Sequence, residues 1–191
     1  AAELYNFTEK LILKVNAVHF SITNNDTIVA KNHLDKREIK KIAGSAYYEL
    51  QKKHSQFEYR NATVKHSLFS LPLTYMGFAG YLNPITSEAQ VNSLIPKNTY
   101  PATVCHEIAH QLGIASEKEA NFVGYLAATN AKDVYYNYSG YLMALRYCLF
   151  EIYRNEPDKF EILKASLNKG IMKDLQQQQD FWQSYQNWSE Q

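Results

Sequence analysis

The chain has 191 residues, 46% of them hydrophobic, and its 20 Lys and Arg against 19 Asp and Glu leave a formal net charge of +1. That length suits one domain with a substantial core, and a scattered, balanced charge excludes a polyanion-binding surface, so no nucleic-acid partner is expected. Two cysteines make neither a disulfide framework nor a cysteine zinc site, and no apolar run reaches the ~18 residues of a membrane span.

Apolar residues recur at Leu4, Phe7, Leu11, Val15 and Val18, which predicts a helix over residues 3–20. Residues 23–32 are polar and turn-rich. Asp35 is the expected N-cap of a second helix reaching about His54, with Ile39, Ile42, Ala46 and Leu50 on one face. Residues 63–92 are rich in β-branched and aromatic side chains and punctuated by Gly77, Gly80 and Pro84, so two or three short strands are expected there. Pro101 suits the first turn of a helix over 101–112, because its missing N–H is an orphan donor at that position anyway. Gly113 should stop that helix, and the next begins at Ser116. Residues 139–154 read as a buried helix and 157–188 as one or two amphipathic helices. The expected fold is therefore α+β: one mostly helical domain, 1–191, with a small sheet whose edge strand flanks the helix over 101–112.

That helix carries His106-Glu107-Ile108-Ala109-His110, an H-E-x-x-H motif. Residues four apart share a helix face, so the two imidazoles can chelate one Zn²⁺ while Glu107 acts on a water that the metal activates. A zinc site needs a third protein ligand, and Glu117 and Glu119 are the downstream candidates. On one continuous helix Glu117 would lie about 16 Å along the axis from His106, so the chain must turn back at Gly113. Ser116 and Glu119 form a capping-box pair, which gives Glu119 a structural task. Glu117 is the expected third ligand, ahead of Glu119. Asn121, one turn on, can offer its amide oxygen to a ligand imidazole.

Glu107 is the expected general base, and Tyr138, with Tyr136 and Arg146 behind it, the expected donor to a developing oxyanion. Met76 to Leu82 is the candidate edge strand for an extended peptide. His19, His33, His54 and His66 lack ligand spacing and are expected to be structural or solvated. Two other readings stand beside hydrolysis. One is a non-catalytic module with a structural zinc that binds a peptide or partner; the other is a zinc-free helical interaction domain.

A ligand Glu on a second helix resembles the thermolysin-like zincins, whose H-E-x-x-H is followed by E-x-x-x-D. The stretch EKEANFVGYLAA is similar to one in ImmA/IrrE-type zinc peptidases, although the interval from His110 to Glu117 is shorter than in either group. More of the chain (GYLNPITSEAQVN, PATVCHEIAHQLGIASEKEANFVGYLA and NYSGYLMALRY) resembles a bacterial family known as domain of unknown function 3810. That resemblance implies a zincin-like soluble domain of a membrane-anchored protein, facing outside the cytoplasmic membrane, with spanning segments outside this chain. A zincin of this kind implies Zn²⁺ as cofactor and a peptide or protein as substrate.

Overall fold

In a computed structural model of the chain, residues 2–59 and 63–186 are described; residues 187 and 188, the end of the last expected helix, lie outside them. Helix α1 (Ala2–Thr23) is followed by α2 (Lys36–Gln51), β1 (Val64–His66) and α3 (Ser70–Tyr75). Then come β2 (Gly80–Leu82), β3 (Ala89–Val91), α4 (Tyr100–Gln111) and α5 (Glu117–Asn130). The chain closes with α6 (Val134–Asn155), α7 (Pro157–Ala165) and α8 (Lys169–Gln186). The fold is thus mostly helical α+β, as the sequence predicts.

Local chemistry accounts for most boundaries. Asp35 caps α2 by accepting from the Arg37 and Glu38 N–H groups, and Glu38 returns to the Asp35 N–H at 2.7 Å, closing a capping box. Helix α3 interrupts a stretch read as strand. Ser67 starts it: its hydroxyl accepts from the Phe69 N–H at 3.0 Å, its carbonyl accepts the Ser70 hydroxyl at 2.7 Å, and Pro72 falls within the first turn. The expected strand Met76 to Leu82 shortens to Gly80–Leu82, because Gly77 turns the chain at φ +79°.

The sheet has the order β1-β3-β2. Strand β3 pairs in parallel with β1, Lys65 opposite Gln90, and antiparallel with β2, Tyr81 opposite Gln90. Strand β2 is therefore an edge, and it lies beside α4.

Two apolar clusters hold the helices. One joins Ile39, Tyr47 and Leu50 of α2 to Val91 of β3, Val104 and Ile108 of α4, and Val123 of α5. The other joins Leu11 and Val15 of α1 to Leu142, Leu145 and Leu149 of α6, Leu163 of α7 and Ile171 of α8. Helix α6 serves both, because Tyr136 near its start belongs to the first. Three of the four fully buried tyrosines, Tyr47, Tyr136 and Tyr138, give their hydroxyls an acceptor, whereas the Tyr100 hydroxyl has none among the described residues. Tyr47 donates to the Cys105 carbonyl at 2.6 Å and Tyr136 to the Ile39 carbonyl. None of the described helices is long and apolar enough to cross a membrane.

Candidate metal centre

Helix α4 is positioned from both ends. At its start, the Ala102 N–H, which has no partner within the helix, donates to Ser139 Oγ of α6 at 3.0 Å. At its end, Gly113 takes φ +90° and the backbone closes a Schellman motif. The Gly113 N–H donates to the His110 carbonyl at 3.0 Å and the Ile114 N–H to the Ala109 carbonyl at 3.2 Å. This reversal turns the Ile114 carbonyl onto His110 Nδ1, 2.7 Å away. A carbonyl can only accept, so Nδ1 carries the proton, and neutral His110 presents a bare Nε2 lone pair.

Ser116 caps α5 by accepting from the Glu119 N–H at 3.5 Å, which sets Glu117 as the first helical residue. Only this half of the expected capping box forms, and the Glu119 side chain points to solvent. Glu117 folds back over α4. Its Oε2 lies 3.2 Å from His106 Nε2 and its Oε1 3.4 Å from His110 Nε2. The two Nε2 atoms are 3.0 Å apart, and the three side chains each offer a ligand atom within 4.8 Å of the others.

The close approach of α5 to α4 depends on Gly124. A Cβ there would lie 3.0 Å from both the backbone nitrogen and the Cα of His106. Glycine in a helix interior costs up to about 1 kcal/mol relative to alanine, so such a residue marks a packing requirement. That was the signal in the sequence for this contact, and it went unread.

Electrostatics single out two side chains. His106 has its pKa lowered, first by burial and then by His110, with Glu117 and Asn121 acting the other way. Its Nδ1 is buried without a hydrogen-bond partner, although the Asn121 amide lies beside the ring. Glu107 is only 3% exposed, and its Oε2 also lacks a partner. Burial, and secondarily the Glu117 charge, pushes its carboxyl up to about 8. Strand β2 packs directly upon it: a Cβ on Gly80 would fall 2.5 Å from Glu107 Oε1.

These residues fit a divalent cation. Neutral His110 offers Nε2 as an acceptor, the Glu117 carboxylate is an acceptor, and a neutral His106 can place at most one proton between them. A cation held by the three side chains relieves that mismatch, and two imidazole nitrogens with a carboxylate are ligand types that zinc accepts.

The centre opens into a cavity of about 560 Å³. Gly77 to Leu82, including the β2 edge, form one wall and Ser139, Leu142, Met143 and Arg146 of α6 another. Of the residues singled out in the sequence, His106, Glu107, His110, Glu117 and Asn121 all line it. Tyr138 does not. It is 1% exposed, belongs to the second apolar cluster, and donates to Asp174 Oδ2 at 2.5 Å. One residue along α6 is a rotation of about 100°, which turns Tyr138 away from the face that carries Ser139. Tyr136 likewise spends its hydroxyl inside the first cluster. Arg146 does line the cavity, and so do Gln178 and Trp182 of α8, which nothing in their local sequence had marked.

A family model described as Protein of unknown function (DUF3810) matches residues 1–191. No curated protein and no solved structure matches the chain.

Proposed function

We propose that this chain, which belongs to the DUF3810 family, is a zinc-dependent metallopeptidase in which His106, His110 and Glu117 hold the metal and Glu107 is the general base. The observation that carries this reading is the convergence of two imidazoles and a carboxylate beside a buried carboxyl group, with one oxygen unpartnered, that lines a peptide-sized cavity. A purely structural metal has no use for Glu107, whose burial without a partner costs stability.

Zinc held there supplies Lewis acidity, lowering the pKa of water to about 7 and polarising a substrate carbonyl. The chain's own groups do the rest. Glu107 accepts a proton from the attacking water as the water oxygen bonds to the carbonyl carbon. The same carboxyl then delivers that proton to the departing nitrogen as the C–N bond breaks, so one water is consumed per bond cut. Asn121, beside the His106 ring, holds that imidazole in orientation. The open edge of β2 can align an extended peptide by backbone hydrogen bonds, and Gly80 keeps that edge close to Glu107.

The test is metal content followed by hydrolysis. Protein purified without added zinc or chelator should carry about one zinc per chain, and Glu117→Ala should lose it. Glu107→Ala should keep zinc and abolish cleavage of a peptide library. Zinc in the wild type without any cleavage would replace the peptidase by a binding module with a structural metal. A wild type that takes up no zinc even when supplied would sink both.

A further inference from the structure

We propose that the cavity contains a carboxylate subsite, formed by the Arg146 guanidinium and the Gln178 side-chain amide, that receives the C-terminal carboxylate or an acidic side chain of a short peptide. What then happens to the peptide rests on the peptidase reading; the binding of the carboxylate does not.

The position of the subsite follows from helix geometry. Ser139 of α6 touches the start of α4, and Arg146 lies seven residues, or about 10.5 Å, further along α6. Arg146, Gln178 and Trp182 also line a second cavity, of about 660 Å³, between α6, α7 and α8. That cavity contains none of the metal-centre residues. The three residues therefore border both spaces.

The two donors differ in setting. Arg146 is exposed, has no acidic partner among the described residues, and lies over the Tyr147 ring, 5.4 Å from the centroid. Among the described residues it is the only Lys or Arg lining the first cavity. Gln178 is 4% exposed, yet its Nε2 is buried without a hydrogen-bond partner. The buried carboxylate one turn earlier on α8, Asp174, is already engaged by the Tyr138 O–H and the Ala30 N–H. A guanidinium and an unpartnered amide N–H₂ that line one cavity match a carboxylate, which accepts from both through charge-assisted bonds. A terminal amide matches poorly, because its own N–H groups would meet donors. The Trp182 ring adds an apolar flank for the last side chain. With hydrolysis at the metal centre, a chain end seated here places the scissile bond at a constant short distance from the C-terminus.

The experiment compares three peptides on the full chain carrying Glu107→Gln, which prevents turnover. They are N-acetyl-Ala-Ala-Phe with a free carboxylate, the same peptide as its C-terminal amide, and N-acetyl-Ala-Ala-Asp amide. Binding is read by calorimetry and, in a Trp188→Phe background, by the fluorescence of Trp182. The free acid should bind at least ~10-fold more tightly than its amide. Arg146→Met should reduce that ratio to within about twofold while leaving the amide's affinity unchanged, Gln178→Leu should reduce it in part, and Arg146→Lys should retain some preference. Tight binding of the Asp amide would make the acidic side chain the natural source of the carboxylate and still support the subsite. Equal affinity of acid and amide, a ratio preserved in Arg146→Met, or no binding of any of the three overturns it. The two readings fail separately. An acid preference in a protein that cleaves nothing keeps the subsite and removes the peptidase, whereas equal cleavage of acid and amide by the wild type does the reverse.

Discussion

Two buried clusters in this molecule use the same residue types to opposite ends. In the second apolar cluster, Asp174 accepts from Tyr138 at 2.5 Å and from the Ala30 N–H at 3.1 Å. His19 lies beside them, its Nε2 3.0 Å from the Ile28 carbonyl and its Nδ1 3.3 Å from the Asn168 amide. Backbone packs closely over that ring, for a Cβ on Gly170 would fall 2.5 Å from His19 Nε2. Donors and acceptors are matched around Asp174, and neither it nor Tyr138 lines either of the two cavities. At the α4–α5 corner His106, His110 and Glu117 share too few protons, Glu107 Oε2 and His106 Nδ1 lack partners, and a cavity lies open. A histidine near a carboxylate is therefore no sign of chemistry by itself. The balance of donors to acceptors is informative where it coincides with an open cavity, because unpartnered buried atoms also occur away from the site, at the Tyr100 hydroxyl, Asn98 Oδ1 and His66 Nε2.

The contrast is broken most directly at Glu107. Glu107→Gln should lower kcat/KM on any cleaved peptide by about 10³-fold with zinc content unchanged, since a general base contributes about 10²–10⁴. Metal analysis and initial rates on the same preparation check this.

The same side chain governs stability once metal is stripped. In the folded chain Glu107 titrates at about 8 and in the unfolded chain near 4.5, so between those values the folded state binds more protons. Stability therefore falls as pH rises through that window, by about 3 kcal/mol between pH 5 and 8. Glu107→Gln should lack this fall. The lowered His106 acts in the opposite sense, but it is present in both proteins and cancels in the difference. Urea unfolding of chelated wild type and variant at the two pH values reads the effect.

Gly80→Ala tests the approach of β2 to the base. The new methyl would sit 2.5 Å from Glu107 Oε1 and 2.7 Å from its Cδ. Displacing the carboxyl should cost about 10- to 100-fold in kcat/KM, and overpacking about 1–3 kcal/mol of stability, with zinc retained. Unchanged kinetics would mean that Glu107 has room to work elsewhere.

The mildest change sharpens the other side. Tyr138→Phe leaves Asp174 with one donor fewer and should cost about 1–3 kcal/mol on unfolding, while zinc content and turnover stay within about twofold. A large loss of turnover without loss of stability would return Tyr138 to the site.

Much of the metal centre was legible because its logic is local. The His106–His110 spacing is one helical turn, Gly113 supplies the left-handed residue that ends α4, and Ser116 starts α5, so the corner carrying Glu117 is written in twelve consecutive residues. Helix α3 was missed because a short apolar segment with one proline supports helix and strand alike, and the Ser67 hydroxyl decided between them. Tyr138 was assigned to chemistry as a potential donor in the tyrosine-rich stretch NYSGY, yet the residue beside it, Ser139, is the one that lines the cavity. Neighbours on a helix point about 100° apart, and that step separates a core residue from a cavity wall.

The sequence by itself determined the helical α+β class and the convergence of His106, His110 and Glu117 beside Glu107, since caps, turns and i,i+4 spacing act over a few residues. Only the tertiary structure decided what surrounds them. Gly80 and Gly124 bring β2 and α5 against α4, Asp174 claims Tyr138, and α6 and α8 bring Arg146 to Gln178. Those pairs are separated by about 20 to 40 residues, and no local propensity encodes which distant donor will meet which acceptor. Packing of the two apolar clusters selects them.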